Sequence, residues 1–486
     1  MVIRVKDLPG MNILFAASEM SPYAKTGGLG DVLAALPAAL RARGHSVSVV
    51  LPLYRGVREK LPNLKPSSLF LNLTLNREQL SARVWEGVSE SGVHLFFIER
   101  DEFYDRSHLY GTQTGDYADN AARFIFFNKA VVELARFIQP TPEILHLHDW
   151  QTGLVPAIVR SKQYALKTVF TIHNLAFQGS FWAFDFDLTN LPGEYFSPPG
   201  VEFFGRLNLM KAALLLSHQI TTVSPSYAQE IQTPAYGCSL DGVLRQNHHK
   251  LTGILNGVDC ELWDPQHDHF LAAPYSAEHL KGKAENKKAL LDTFHLPSGN
   301  SPLFGMVSRL TTQKGFDLIQ QTIEDSLLNI GAKFVLLGSG DPYFEAYFTN
   351  LAKKYPKQVG VKIGFDEGLA HLIEAGSDFF LMPSQFEPCG LNQLYSLRYG
   401  TPPIVHNTGG LADSVEDYNE DTGTGTGFKF SWYEAGGLRQ AIQRALKVYA
   451  QPKALATLRH SGMTQPFSWD ASAAEYEKVY TAALKS

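Results

Sequence analysis

Four groups of residues have the types and spacing to act on a phosphorylated ligand. Lys25-Thr26-Gly27-Gly28-Leu29-Gly30-Asp31 joins a lysine to three glycines at the start of a helical pattern in which Val32, Leu33, Leu36 and Leu40 form one apolar face. Glycines at a helix N-terminus let backbone N–H groups approach a phosphate, the helix dipole adds attraction, and the lysine supplies a full charge. Ser308 to Gly315 sets Arg309 and Lys314 five residues apart, so both can converge on one diphosphate. Phe386-Glu387-Pro388-Cys389-Gly390-Leu391 and Thr408-Gly409-Gly410-Leu411 each open a further helical pattern, and helix N-termini attract anions. Taken singly, each group also has a plain structural reading as a tight turn, a solvated loop or an acid-capped helix start.

Other chemistries are less well supplied. His146-x-His148-Asp149 puts two histidines on one face of a strand, but no compact third ligand accompanies them, and wall-filling histidines satisfy the pattern. A dinucleotide fingerprint would need a third glycine where Leu33 stands and an acid where the second strand ends in Leu51-Pro52-Leu53.

The elements that must position these groups follow from short aliphatic runs alternating with helical patterns. Strands are expected at Asn12 to Ala17, Ser46 to Leu51, His94 to Ile98, Ile144 to His148, Thr168 to Ile172, Gln219 to Val223 and Leu251 to Leu255. The pattern restarts at Leu303 to Val307, Phe334 to Leu337, Gly360 to Ile363, Phe379 to Met382 and Pro403 to Val405. Such alternation gives parallel sheets with crossover helices, here two doubly wound α/β units divided after Asn256-Gly257. The expected domains are 1–256 and 257–469. An amphipathic stretch, Ala471 to Leu484, suits packing on either unit, and residues 470–486 are assigned to the first. Ligands of open parallel sheets bind beyond the carboxyl ends of strands. Those ends carry Ser18-Glu19, Asp149-Trp150, His173-Asn174, Asn256, Arg309 and Ser384 to Glu387, polar edges suited to facing each other across a cleft. Residues 1–10 read as an extension ahead of the fold, Thr422 to Gly427 as a mobile loop, and Lys281 to Lys288 as an exposed helix face.

Composition excludes several function classes. The chain has 486 residues, 44% hydrophobic and 19% charged, enough for large cores. Its net charge of −5, without a long basic block, argues against an electrostatic grip on nucleic acid or anionic lipid. No apolar run reaches membrane-spanning length, and the N-terminus lacks a signal-peptide core. Three cysteines make no disulfide framework, so a reducing cytoplasm is the expected location.

From Met11 onward the chain resembles the bacterial glycogen (starch) synthases, retaining glycosyltransferases of the GT-B fold. The resemblance runs through Lys25 to Val32, His148-Asp149-Trp150, Thr171 to Asn174, Val223 to Tyr227, Thr233 to Gly237, Leu240 to Leu244, Ile254 to Asp259, Arg309 with Lys314, Phe386 to Leu391 and Thr408 to Asp413. It implies two Rossmann-like domains closing over a sugar nucleotide, ADP-glucose as donor and glycogen or another α-1,4-glucan as acceptor. It implies no cofactor and no metal, with Arg309 and Lys314 on the distal phosphate where other enzymes use a divalent ion. Lys25, Gly27 and Gly28 would lie by the pyrophosphate, with Asp31 and the Thr408-Gly409-Gly410 turn also at the donor. Asp149, His173, Asn256 and Glu387 would surround the glucose, and Cys389, Gly390 and Leu391 would fix it through backbone N–H groups.

Phe365 stands where the family usually has a tyrosine stacked on the nucleobase. Asn392 replaces a usual threonine and Ser239 a usual glycine, while Tyr395 occupies the place of a second glutamate in related transferases. A UDP-glucose-using synthase, a pyridoxal-phosphate glucan phosphorylase of the same fold and a non-catalytic glucan-binding protein are the competing readings.

Overall fold

The computed structural model describes residues 3–5, 8–112 and 115–486. The chain forms two compact units, Met1–Ile254 with Trp469–Ser486 and Leu255–Ser468.

The first unit is built on a nine-stranded sheet. From one edge the order is Leu251–Gly253, Gln219–Thr222, Lys167–Ile172, Ile144–His148, Asn12–Ala16, Ser46–Pro52, His94–Glu99, Glu78–Val88 and Lys65–Leu75. The first seven run parallel and the last two form an antiparallel hairpin. Ser46–Pro52 and Ile144–His148 are buried throughout, as strands covered on both faces must be. The hairpin instead alternates buried and exposed residues along Lys65–Leu75, the mark of a sheet with one wet face. From Asn12–Ala16 the chain builds outward in one direction, and from Ile144–His148 in the other. These neighbouring strands therefore flank the crossing point where such sheets receive ligands.

The helix Gly28–Ala42 buries Leu29, Val32, Leu33, Leu36 and Leu40 and stops at Arg43, followed by Gly44 with φ 96°. The C-terminal helix Trp469–Lys485 belongs to this unit: Tyr476 and Tyr480 are buried, and Arg43 and His45 both bond Glu477. Two expectations change. Residues Ile3–Arg4 are not outside the fold, because they pair in parallel with Ile138–Gln139 and Ile3 is buried. His146 is a core residue, its ring nitrogens bonded to the Tyr480 hydroxyl at 2.8 Å and the Thr171 hydroxyl at 2.7 Å.

The second unit holds a six-stranded parallel sheet ordered Val359–Ile363, Lys333–Gly338, Leu303–Val307, Phe379–Met382, Pro403–His406 and Phe428–Phe430. Its side chains alternate between two cores: Phe304, Phe334, Leu336 and Leu381 enter one, while Leu303, Val335, Leu337 and Phe380 enter the other. The crossing point lies between Leu303–Val307 and Phe379–Met382. The helix Lys281–Thr293 is not simply solvated: Lys283 is buried with its ammonium on Ala375 O, Tyr399 O and Thr401 Oγ1, and Lys287 pairs with Asp378 at 2.6 Å. The loop at Thr422 to Gly427 is tied at its end, where Thr426 is buried and its hydroxyl accepts from Glu416 N–H.

Candidate active site

In the first unit the glycine motif follows Asn12–Ala16, and its two ends are joined by an ion pair, Lys25 Nζ to Asp31 Oδ1 at 2.6 Å. Gly27 precedes the helix with φ −156°, and a Cβ built there would meet nothing within 4 Å. The fold itself therefore tolerates a side chain at Gly27. Gly30 differs, since a Cβ would lie 3.0 Å from Lys25 Cγ.

Asp149 and His173 end the neighbouring strands Ile144–His148 and Lys167–Ile172. Asp149 holds a left-handed backbone, φ 55°, unusual outside glycine and costly by about 1 to 3 kcal/mol. Its Oδ1 accepts the His173 N–H at 2.8 Å, and the Asn174 N–H also reaches the carboxylate. Burial raises the Asp149 carboxyl to about 7 against these donors, with the Glu19 charge adding to the rise. Burial lowers His173 to about 3, so its ring is neutral, and its Nε2 lies 2.9 Å from His148 Nδ1.

In the second unit Lys314 Nζ lies 2.5 Å from Glu387 Oε2, which also accepts from Ser384 Oγ at 3.0 Å. Arg309 is exposed on the same loop, just past Leu303–Val307. Gly315 must be glycine, because φ is 79° and a Cβ would lie 2.1 Å from Pro383 O. Gly390 has φ 73° at the turn into the helix Asn392–Arg398. Burial pushes the Cys389 thiol up to about 12, so it stays protonated, and buried Asn256 contacts it. Leu391 stands at the N-terminal boundary of that helix with no side-chain cap bond, and Asn392 Nδ2 donates to Val307 O at 2.5 Å, binding the helix start to the strand across the crossing point.

The Thr408-Gly409-Gly410 turn lies directly against this loop. Gly410 N–H donates to Glu387 O at 3.0 Å, and Cβ atoms at Gly409 and Gly410 would lie 2.0 Å from Glu387 O and Cys389 O. The structure thus gives these glycines a buttressing contact with the Glu387 loop. Phe365 stands apart, 87% exposed after the edge strand Val359–Ile363. Tyr395 stacks on Trp263 at 3.7 Å, and Trp263 on His371 at 3.8 Å, which explains an aromatic residue there. Among the described residues no group of three or more His, Cys, Asp or Glu is arranged to hold a metal ion.

Sequence reasoning did not give Glu19 a role. It accepts from Thr26 N–H and Oγ1 at 2.6 Å and from Gly27 N–H at 3.1 Å, so the Gly27 amide expected at the pyrophosphate is already bonded. An acid at the end of the first strand was the available signal.

Residues 12–246 match the starch synthase catalytic domain and residues 290–457 the glycosyl transferases group 1 family. The chain is 46% identical over 477 residues to a glycogen synthase of Koribacter versatilis, covering 97% of this chain and 98% of that one. It is 44% identical to a glycogen synthase of Geobacillus thermodenitrificans, covering 98% of each. Among solved structures, the catalytic domain of starch synthase IV from Arabidopsis thaliana, bound to ADP and acarbose, superposes with a TM-score of 0.90 at 35% identity, covering 98% of this chain and 100% of that one. Sucrose-phosphate synthase from Thermosynechococcus elongatus, at 17% identity and a TM-score of 0.61 over 97% of this chain and 98% of that one, shares the fold. Matched along nearly its whole length by relatives of one kind, the chain belongs to the glycogen and starch synthase family of GT-B glycosyltransferases.

Proposed function

We propose that this protein transfers glucose from ADP-glucose to the non-reducing end of an α-1,4-glucan with retention of configuration. The observation that carries the reading is the Lys314–Glu387 pair beside Arg309 at the crossing point of the second sheet. Breaking the bond from glucose C1 to the phosphate oxygen leaves an electron pair, and negative charge, on the departing diphosphate. Arg309 and Lys314 neutralise that charge where it develops. Positive charge builds on the sugar, and the Glu387 and Asp149 carboxylates answer it. The acceptor hydroxyl attacks C1 on the face the diphosphate leaves, and its proton passes to the departing phosphate oxygen.

This same-face course is favoured over a covalent glucosyl-enzyme because Lys314 and Ser384 both hold Glu387 Oε2, which blunts its nucleophilicity. Neutral His173 serves as a hydrogen-bond partner for a glucose hydroxyl. Phe365 stacks on the adenine, and Lys25 meets the pyrophosphate from the first unit. ADP as the nucleotide is supported by the ADP-bound starch synthase match.

Incubation of the purified protein with glycogen and either labelled ADP-glucose or UDP-glucose, following polymer label and released diphosphate, tests the reading. Equimolar ADP release and chain extension are expected. Preference for UDP-glucose would overturn the donor assignment, and formation of glucose 1-phosphate from glycogen and phosphate, with no transfer, would point to a phosphorylase.

A further inference from the structure

Glu19 is 4% exposed and belongs to none of the ion pairs among the described residues. A buried carboxylate without a cation must be met by hydrogen-bond donors, or it would be neutralised or excluded. Its donors converge from two places. Thr26 N–H and Oγ1 and Gly27 N–H come from the glycine loop, and the Tyr110 hydroxyl donates to Oε1 at 2.7 Å. Tyr110 in turn lies 2.7 Å from Ser18 Oγ, and its own carbonyl accepts from Asn120 Nδ2 at 2.9 Å. The loop is fixed at its other end by Ser21 N–H donating to Gly30 O at 2.9 Å. Between these anchors stands Lys25, whose ammonium is exposed at the rim with Asp31.

We propose that Glu19 is a positioning residue for donor binding: by gathering Thr26, Gly27 and Tyr110 it sets the glycine loop in the one conformation from which Lys25 can meet the donor phosphates. The inference rests on the donor reading above. Glu19 makes no contact with the donor in this scheme. Its amide bonds instead turn the loop so that the cation, rather than the Gly27 N–H, is presented.

The test compares Glu19→Gln with wild type by thermal melting, ADP titration calorimetry and initial rates against both substrates. A glutamine can turn its oxygen to the Thr26 and Gly27 N–H groups, but its NH2 then faces the Thr26 and Tyr110 hydroxyls, which must accept where they donated, and the charge that strengthened all four bonds is gone. The KM for ADP-glucose and the Kd for ADP should rise about tenfold or more, while kcat at saturating donor stays within about threefold and the glycogen KM is unchanged. Thr26→Val and Tyr110→Phe each remove one donor while keeping shape and should raise the donor KM by about two- to fivefold, which gives an answer even where Glu19→Gln folds poorly. A folded Glu19→Gln with an unchanged donor KM overturns the proposal. So does a loss confined to kcat, which would make Glu19 part of the chemistry. If wild type itself fails to bind ADP or transfer glucose, the functional reading and this inference fall together.

Discussion

Lys314 and Glu387 form one ion pair, 2.5 Å from ammonium to carboxylate, with side chains only 17% and 7% exposed. The cation proposed for the leaving group and the carboxylate proposed for the sugar are therefore not independent: removing either leaves the other's charge half-desolvated and unpaired.

Glu387→Gln removes charge and nearly keeps shape. Turnover should fall at least about a hundredfold, roughly 3 kcal/mol of transition-state stabilisation, with ADP affinity within a few-fold. Lys314→Gln should also destabilise the second unit, on the order of 3 kcal/mol, by stranding Glu387. Melting, ADP binding and transfer rate measured on the same preparations check both. A Glu387→Gln enzyme that turns over at wild-type rate would leave Glu387 a structural acid.

The glycines divide into two kinds. Gly27→Ala should melt within about 0.5 kcal/mol of wild type, because its Cβ meets nothing. Gly409→Ala should lose more than about 2 kcal/mol, because φ is 45° and the Cβ would strike Glu387 O. Equal stability of the two variants would contradict this division.

Phe365 is too exposed to support the core, so Phe365→Ala should leave stability unchanged. Loss of a stacked base should weaken ADP binding by about 1 to 3 kcal/mol, and Phe365→Tyr should retain it. Calorimetric titration separates these outcomes, and undiminished binding to Phe365→Ala would remove the stacking role.

The Asp149 carboxyl titrates near 7 in the folded chain against an ordinary 3.8. Between about pH 4 and 7 the folded chain holds a proton that the unfolded chain has released. Stability contributed at this site therefore falls as pH rises through that window, by at most about 1.4 kcal/mol per pH unit. The groups facing Asp149 are the His173 and Asn174 amides, the Glu19 charge and Tyr227. Denaturant unfolding of wild type and Asp149→Asn at pH 4.5, 6 and 7.5 should diverge, the Asn variant gaining relative stability with pH. Parallel curves would contradict the raised titration. Transfer activity, which in the proposed mechanism uses the ionised carboxylate, should rise across the same range.

The parallel strands were legible because strands buried on both faces read as unbroken aliphatic runs, and Ser46–Pro52 or Lys333–Gly338 lies within a residue or two of its expected span. The hairpin Lys65–Leu75 with Glu78–Val88 escaped notice because half of its residues are polar and face solvent. Phe428–Phe430 is too short to stand out beside its glycine-rich approach. That Asp149, His173 and Arg309 follow closely on strand ends could be read from the pattern alone. What Glu19 does could not, because its partners are set by a tight loop that returns the chain upon itself, and nothing in composition marks which N–H groups that loop turns inward. Lys283 illustrates the same gap: its burial depends on three acceptors, all from residues far along the chain.

The helix Trp469–Lys485 lies in the first unit although the whole second unit precedes it in the chain. Synthesis from the N-terminus must then deliver the second unit complete while the first still lacks a wall, with the apolar surface that Tyr476 and Tyr480 will cover left open to water. The nascent first unit is an unfinished body until residues 469–485 emerge, and this is the interval in which a folding helper or a protease would find it. A stop codon just ahead of residue 469 would thus damage the first unit, although most of it is made earlier, and spare the contacts inside the second.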